Sequence, residues 1–234
     1  MPTSLVHAVG AACAEALALL LPVSCAGCDE PDIGLCERCV LALVPTPRRQ
    51  VVPAVGGALT VWSGLAFDGV AARVLRAIKE EGRTGLARAL TPALEAALAH
   101  AGIGGHVVLV PLPTSRAAYR RRGFRVPDLL VRRTGRPPTR LLRHARRTGD
   151  QRGLGREARR SNVDGSLVAR PGVARGARVV LVDDVVTTGA TLAEAARAMR
   201  AAGADVLGAV TVAATPRNFP TQGERRPDTF ETHR

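Results

Sequence analysis

Residues 179–191 read Val179-Val180-Leu181-Val182-Asp183-Asp184-Val185-Val186-Thr187-Thr188-Gly189-Ala190-Thr191, and the reading of this run decides the fold. Val179 to Val182 is a continuous apolar run, as expected of a strand buried on both faces of a parallel sheet. It ends on two adjacent carboxylates. A turn of small residues follows, and then a helical pattern in which Leu192, Ala195, Ala196 and Met199 recur on one face. In open α/β sheets ligands bind at the carboxyl ends of strands, beside the helix that follows. The turn offers backbone N–H groups, three hydroxyls and a helix N-terminus, which together suit a phosphate. The carboxylates before it suit sugar hydroxyls, directly or through a divalent cation. A phosphate site beside a diol site describes a ribose 5-phosphate.

Outward from this run, strands alternate with helical patterns, which predicts a mainly parallel α/β sheet flanked by helices. Strands are expected over Val107–Val110 and near 165–169, 178–183 and 205–213. A strand pair or hairpin is expected over 58–67. Helices are expected over 69–80, 84–100 and 126–133. Val44 to Arg49, with two prolines, reads as a linker. The segment 134–160, rich in Gly, Pro and Arg, reads as weakly structured. The polar tail from Thr215 reads as disordered. The organisation expected is an amino-terminal module over 1–47, an α/β domain over 48–214 and a tail over 215–234.

Four of the five cysteines fall at Cys25-x2-Cys28-x7-Cys36-x2-Cys39. Two such knuckles can present four thiolates to one tetrahedral zinc. Two disulfides or an iron–sulfur cluster are the alternatives. Cys13 sits upstream in an Ala/Leu-rich stretch and reads as a small core residue. That stretch, Leu5 to Leu21, lacks a basic n-region, contains His7 and Glu15, and runs into the knuckles, so it does not read as a secretory signal. It is interrupted by Gly10, ended by Pro22 and short for a membrane span. No membrane insertion is expected. The reading is an amphipathic helix beside the cysteine module, in a cytoplasmic protein.

The 234 residues suffice for one sizeable core, which Ala, Val and Leu must fill because aromatics are only 3 %. A net charge of +13 suggests nucleic acid until it is mapped. Residues 116–160 carry 16 arginines and 3 acidic residues, so this one segment holds the whole excess. Cations around a polyanionic small substrate, or a basic track for single-stranded DNA, would each use it. Tyr119 and Phe124 are its only aromatics, which weakens stacking. A solvated arginine face is the plain alternative. Lys79 is the only lysine, in a composition that otherwise uses arginine. A compact ammonium on a flexible stem reaches a phosphate differently from a guanidinium.

Asp-Asp-Val-Val-Thr-Thr-Gly-Ala-Thr resembles the phosphoribosyl pyrophosphate (PRPP) motif of the type I phosphoribosyltransferases. With the four-cysteine module and Arg122-Gly123-Phe124, the chain over roughly 15–214 resembles the ComF family of competence-associated phosphoribosyltransferases. The resemblance implies displacement of pyrophosphate from C1 of PRPP by a nitrogen acceptor, with magnesium. It assigns Asp183 and Asp184 to the ribose, and Thr187, Thr188, Gly189, Ala190 and Thr191 to the 5-phosphate. It places a pyrophosphate loop at Pro113, Thr114, Ser115 and Arg116, and brings Lys79 (in Lys-x2-Gly) and Arg122 toward the phosphates.

Departures from the family pattern are Glu80 for an aromatic, Arg125-Val126 for Asn-Gln, and Ala158 for Glu before Arg159. Gln151, Leu154, Asn162 and Val163 keep the pattern. Hypoxanthine–guanine relatives place an Asp base where Thr187 stands, and Thr187 cannot take a proton, so the likeness is to orotate-type and ComF-type members. The rival expectation is a non-catalytic nucleotide sensor, or a module contacting single-stranded DNA or a DNA-uptake motor protein. The acceptor is not legible, and a homo-oligomer stays open.

Overall fold

The computed structural model describes residues 23–103, 106–145, 165–172 and 175–216. Seven strands are described: Arg48–Val52 (β1), Leu59–Ala66 (β2), Val108–Pro111 (β3), Leu142–His144 (β4), Leu167–Ala169 (β5), Arg178–Val186 (β6) and Asp205–Ala214 (β7). The helices described are Glu37–Leu41 (α1), Gly69–Glu81 (α2), Ala87–His100 (α3), Arg116–Arg122 (α4), Val126–Arg133 (α5) and Ala190–Ala201 (α6).

The main sheet runs β1-β2-β7-β6-β3. Only β1 is antiparallel to its neighbour. β6 lies inside the sheet, pairing Val182 with Val210 of β7 and with Pro111 of β3. This accounts for its unbroken valines, because both faces of an interior parallel strand are covered. One face carries α2, α3 and α5. Leu75, Ile78, Leu90, Leu94 and Leu130 pack there against Val180, Val182 and Val212. Each such fully buried leucine or isoleucine contributes about 2 kcal/mol of transfer free energy. The other face carries α6, whose Leu192, Ala195 and Met199 meet Val179, Leu181 and Ala209.

β4 and β5 form a separate two-stranded antiparallel sheet. A buried acid fixes it to α6. Glu194 accepts the Leu167 N–H at 3.0 Å and the Arg197 Nε–H at 2.6 Å, while Arg197 Nη2 donates to the Leu167 carbonyl at 3.0 Å. The arginine and the strand N–H lower the Glu194 carboxyl below its usual range although burial opposes this.

The mainly parallel sheet flanked by helices agrees with the sequence reading, and five local expectations change. Arg48 and Arg49 open β1 and do not belong to a linker, because β1 finds its partner across the turn at 53–57. Residues 58–67 form one strand and not a pair, with that partner outside the run. A 3₁₀ turn, Thr84–Leu86, precedes α3. Arg116–Arg122 is helical, started by Ser115 accepting the Ala118 N–H at 3.2 Å. Leu142–His144 pairs as a strand inside the segment read as weakly structured. The helix expected over Leu5–Leu21, Cys13, the 151–163 pattern and nearly all of the tail lie outside the described residues. Among the described residues no helix is long and apolar enough to cross a membrane.

Replacing Glu194 with Ala leaves the Leu167 N–H without its acceptor and the arginine without its carboxylate. Urea unfolding should show a loss of about 2 kcal/mol, with faster amide exchange at Leu167. An unchanged midpoint would mean that apolar packing alone holds the small sheet.

Candidate functional site

The carboxylates do not end their strand. β6 continues to Val186, and Asp183 pairs in register with Thr211 of β7. Thr211 Oγ1 is fully buried and shares a 2.7 Å hydrogen bond with Ser63 Oγ, so polar groups line the sheet beneath the site. Asp183 is half-buried and Asp184 buried. The Asp184 N–H donates to Asp183 Oδ1 at 2.9 Å. Lys79, in the last turn of α2, reaches across so that its Nζ lies 2.7 Å from Asp184 Oδ2. The lone lysine therefore meets a carboxylate here. Burial, and then the Asp184 charge beside it, push the Asp183 carboxyl up to about 8. Of the two adjacent carboxylates Asp184 is paired with the ammonium, and a further cation or a pair of hydroxyls would relieve the remaining negative charge. Carboxylate oxygens are the kind of donor that an oxygen-seeking cation such as magnesium takes.

The turn after β6 is built on a glycine. Gly189 caps α6 with φ 82°, and a Cβ there would stand 2.5 Å from Val52 Cγ2. Only glycine meets both conditions, and the turn is thereby held against β1. Thr187, Thr188, Ala190 and Thr191 are exposed around it, and the Ala190 N–H donates to Thr188 Oγ1 at 3.3 Å.

The second predicted loop adjoins the first. The Leu112 N–H donates to the Val182 carbonyl at 2.9 Å, so Pro113–Arg116 leaves the sheet next to Asp183. His144 of β4 sits over it, with Nε2 3.1 Å from the Pro113 carbonyl. This loop lines a cavity of about 1140 Å³ whose lining includes neither carboxylate nor the Thr187–Thr191 turn. Arg122 lies outside that lining, and its Nε is buried without an acceptor among the described residues. The structure thus brings together Lys79, Asp183 and Asp184, and sets the two predicted loops on neighbouring strands. Arg170, Arg143 and His144 around the cavity escaped the sequence reading. The arginine-rich segment pointed at two of them, and nothing local singled out Arg170.

The cysteines gather in space. The Sγ atoms of Cys25, Cys28, Cys36 and Cys39 all lie within 4.8 Å of one another, with Cys28 and Cys36 3.6 Å apart. Tetrahedral zinc–sulfur bonds of about 2.3 Å imply sulfur separations of about 3.8 Å, so one zinc fits the set. All four thiols are free. The backbone N–H groups of Cys36 and Gly27 donate to Cys25 Sγ at 3.3 and 3.4 Å. Burial alone would raise Cys25, but these amides outweigh it and lower the thiol to about 6. Burial pushes Cys39 up, with the neighbouring sulfurs adding to it. Four sulfurs at this spacing supply the donor set for one metal cation, which would take them as thiolates.

The module is tied to the helix that carries Lys79. Val70 and Leu35 pack on the cysteines, and Arg73 pairs with Asp29. Beyond the end of α2, Arg83 Nη2 donates to the carbonyls of Ser24 at 2.9 Å and Gly34 at 2.8 Å.

Residues 123–227 match the model of the phosphoribosyl transferase domain, a span that includes Asp183–Thr191 and leaves out the cysteines and Lys79. Competence protein F of Haemophilus influenzae is 33 % identical over 104 residues, 42 % of this chain and 45 % of that protein. The matched span is thus less than half of that relative. Among solved structures, an allosteric regulatory enzyme of purine biosynthesis aligns at 25 % identity over 56 % of this chain and 25 % of its own, with a TM-score of 0.32. An adenine phosphoribosyltransferase aligns at 16 % identity over 75 % and 89 %, with a TM-score of 0.39.

Two outcomes are expected. Purified protein should carry about one zinc per chain by metal analysis, and Cys25→Ser should lose it. Iron, or no metal, would set zinc aside. The second concerns pH. Because the folded state raises Asp183 from 3.8 to about 8, it retains a proton that the unfolded chain has lost over that window. Stability attributable to this group therefore falls as pH rises through the window. In EDTA, Asp183→Asn should raise the melting temperature more at about pH 8.5 than at about pH 5. Equal gains at both values would contradict the shift.

Proposed function

We propose that this chain, a ComF-like protein of the phosphoribosyltransferase type, binds PRPP with magnesium and transfers its phosphoribosyl group to a nitrogen acceptor, releasing pyrophosphate. The observation that carries the reading is the pair Asp183-Asp184 on an interior parallel strand, followed after Val185-Val186 by a turn of exposed hydroxyl residues built on Gly189. A diol-binding group and a phosphate-binding turn at one strand end match the two ends of a ribose 5-phosphate.

In this reading Thr187, Thr188, Gly189, Ala190 and Thr191 hold the 5-phosphate, so binding far from C1 orients the reacting carbon. Asp183 and Asp184 take the ribose hydroxyls. As the C1–O bond to pyrophosphate breaks and the C1–N bond forms, positive charge develops on the ribose ring and their carboxylates favour it. The leaving pyrophosphate takes the bonding electrons and meets the amides of Pro113–Arg116 and the Arg116 charge, with Arg122 as a further donor. Magnesium, held by the carboxylate pair, would supply charge neutralisation for the phosphates. Lys79 holds Asp184 in place and carries one positive charge at the diol end of the site. Zinc in the four-cysteine module is structural, steadying α2 and so Lys79. A role in competence follows by analogy with the name of the Haemophilus relative.

A second reading draws on a specific surface. Arg120, Arg121 and Tyr119 of α4 are exposed, with Arg125 4.3 Å above the Tyr119 ring. Arginines beside an aromatic suit single-stranded nucleic acid, which would make the chain a non-catalytic binding module.

Calorimetric titration of PRPP with magnesium decides between them. The wild type should bind, and Asp183→Asn with Asp184→Asn should weaken binding roughly tenfold or more while the fold persists. Equal affinities would remove the carboxylates from PRPP handling and leave the binding-module reading in front.

A further inference from the structure

Lys79 is the one lysine among 33 Lys and Arg residues, and it stands on the diacid. Its Nζ lies 2.7 Å from Asp184 Oδ2, and the two side chains are 26 % and 13 % exposed, so water screens the pair poorly. The place of the ammonium is set by α2. Leu75 and Ile78 bind that helix to the sheet, and Lys79 falls in its last turn, where the free carbonyls favour a cation. The other acids at this end lie elsewhere: Glu80 is exposed, and Glu81 pairs with Arg83 at 3.6 Å. Among the described residues Lys79 forms an ion pair with Asp184 alone.

A cation already on the carboxylates changes what a second cation meets there. A free divalent ion approaching Asp183 and Asp184 finds one charge neutralised and an ammonium beside it. It must displace Lys79 or bear the repulsion. A metal carried by a polyanion faces a lower barrier, because the surplus negative charge gives the ammonium another partner and frees Asp184. Lysine suits such an exchange better than arginine. A guanidinium clasps a carboxylate through two parallel hydrogen bonds, whereas an ammonium is a point charge on a stem that turns. Arginine fills every other Lys or Arg position of the chain, and at this one position it does not.

We propose that Lys79 is a resident cation that closes the Asp183–Asp184 pair to free divalent metal and opens it to metal brought by a polyanion. Lys79 thereby acts as a positioning residue that couples two ligands, each raising the affinity for the other. The inference deepens the transferase reading and rests on it for the identity of the polyanion, PRPP. The exclusion of free metal rests on the ion pair alone.

The test uses the full chain at one pH, with manganese alone, followed by electron paramagnetic resonance, as the probe for free metal. The wild type should show no saturable binding below about 1 mM. Lys79→Met keeps the stem and loses the charge, and should bind manganese roughly tenfold or more tighter than the wild type. Adding Asp183→Asn and Asp184→Asn should abolish that gain. Lys79→Arg should exclude manganese as the wild type does. Magnesium–PRPP affinity, by calorimetry, should move the opposite way and fall roughly tenfold in Lys79→Met. A lysine that only supports the fold would weaken both. The melting midpoint, read from the single Trp62, should rise with manganese in Lys79→Met and stay put in the wild type. If Lys79→Met does not fold, Lys79→Gln, whose amide still donates to Asp184, carries the same comparison. Manganese binding as tight in the wild type as in the variant would overturn the proposal, and so would a gain that survives the aspartate changes. If PRPP fails to bind while manganese still follows Lys79, the transferase reading falls and the closure stands. If PRPP binds and manganese is indifferent to Lys79, the closure falls alone.

Discussion

Taking Asp184 out of water on an interior strand would cost several kcal/mol for an unpaired ion, and the Lys79 ammonium 2.7 Å away offsets that cost. Much of the molecule serves this contact. Lys79 reaches the carboxylate because α2 packs Leu75 and Ile78 onto the sheet and stops at Gly82, a left-handed cap with φ 72°. The cysteine module grips both ends of the same helix, through Val70 and Arg73 on one side and Arg83 on the other. A metal in the module would therefore steady the helix that positions the lysine. Burial and the neighbouring Asp184 charge raise the Asp183 carboxyl, and the pull of Lys79 does not offset them. The site is short of positive charge by design of its neighbours, which suits a ligand that arrives with a cation.

The opposite face of the sheet is organised around a second buried acid. Glu194 and Arg197 hold β5 to α6 with two hydrogen bonds of 3.0 Å to Leu167, and are braced by a 2.6 Å hydrogen bond between themselves. Through that anchor the small sheet comes to stand over the Pro113 loop, where His144 touches the loop backbone. The two faces thus build different parts of one edge of the sheet. One sets the carboxylates and their lysine. The other builds the arginine-lined cavity.

Sequence periodicity resolved elements whose partners are implicit in their own pattern. The valines of β6, the apolar stripe of α6 and the knuckle spacing each state their environment locally: buried on both faces, buried on one, or converging on one point. The short elements were opaque for a physical reason. Arg48–Val52 and Leu142–His144 contain charged or exposed residues at most positions, and they become strands only because a distant segment supplies the hydrogen bonds. The extent of β6 was misjudged for the same reason. Carboxylates look like a strand's end, yet pairing with Thr211 and Ala213 carries the strand past them.

What the sequence determined by itself is the chemistry on offer: a diacid followed by a small-residue turn, four thiols in two knuckles, one lysine and a concentrated arginine segment. These are properties of residue type and short spacing, and no folding is needed to read them. Tertiary structure alone decided which groups meet. Lys79 lies over a hundred residues from Asp184 in the chain, and Arg170 lies far from Arg116, so their encounters follow from helix packing and strand order. Charge pairing across such distances has no local signature. It exists only after the sheet has formed and brought the strand ends to one edge.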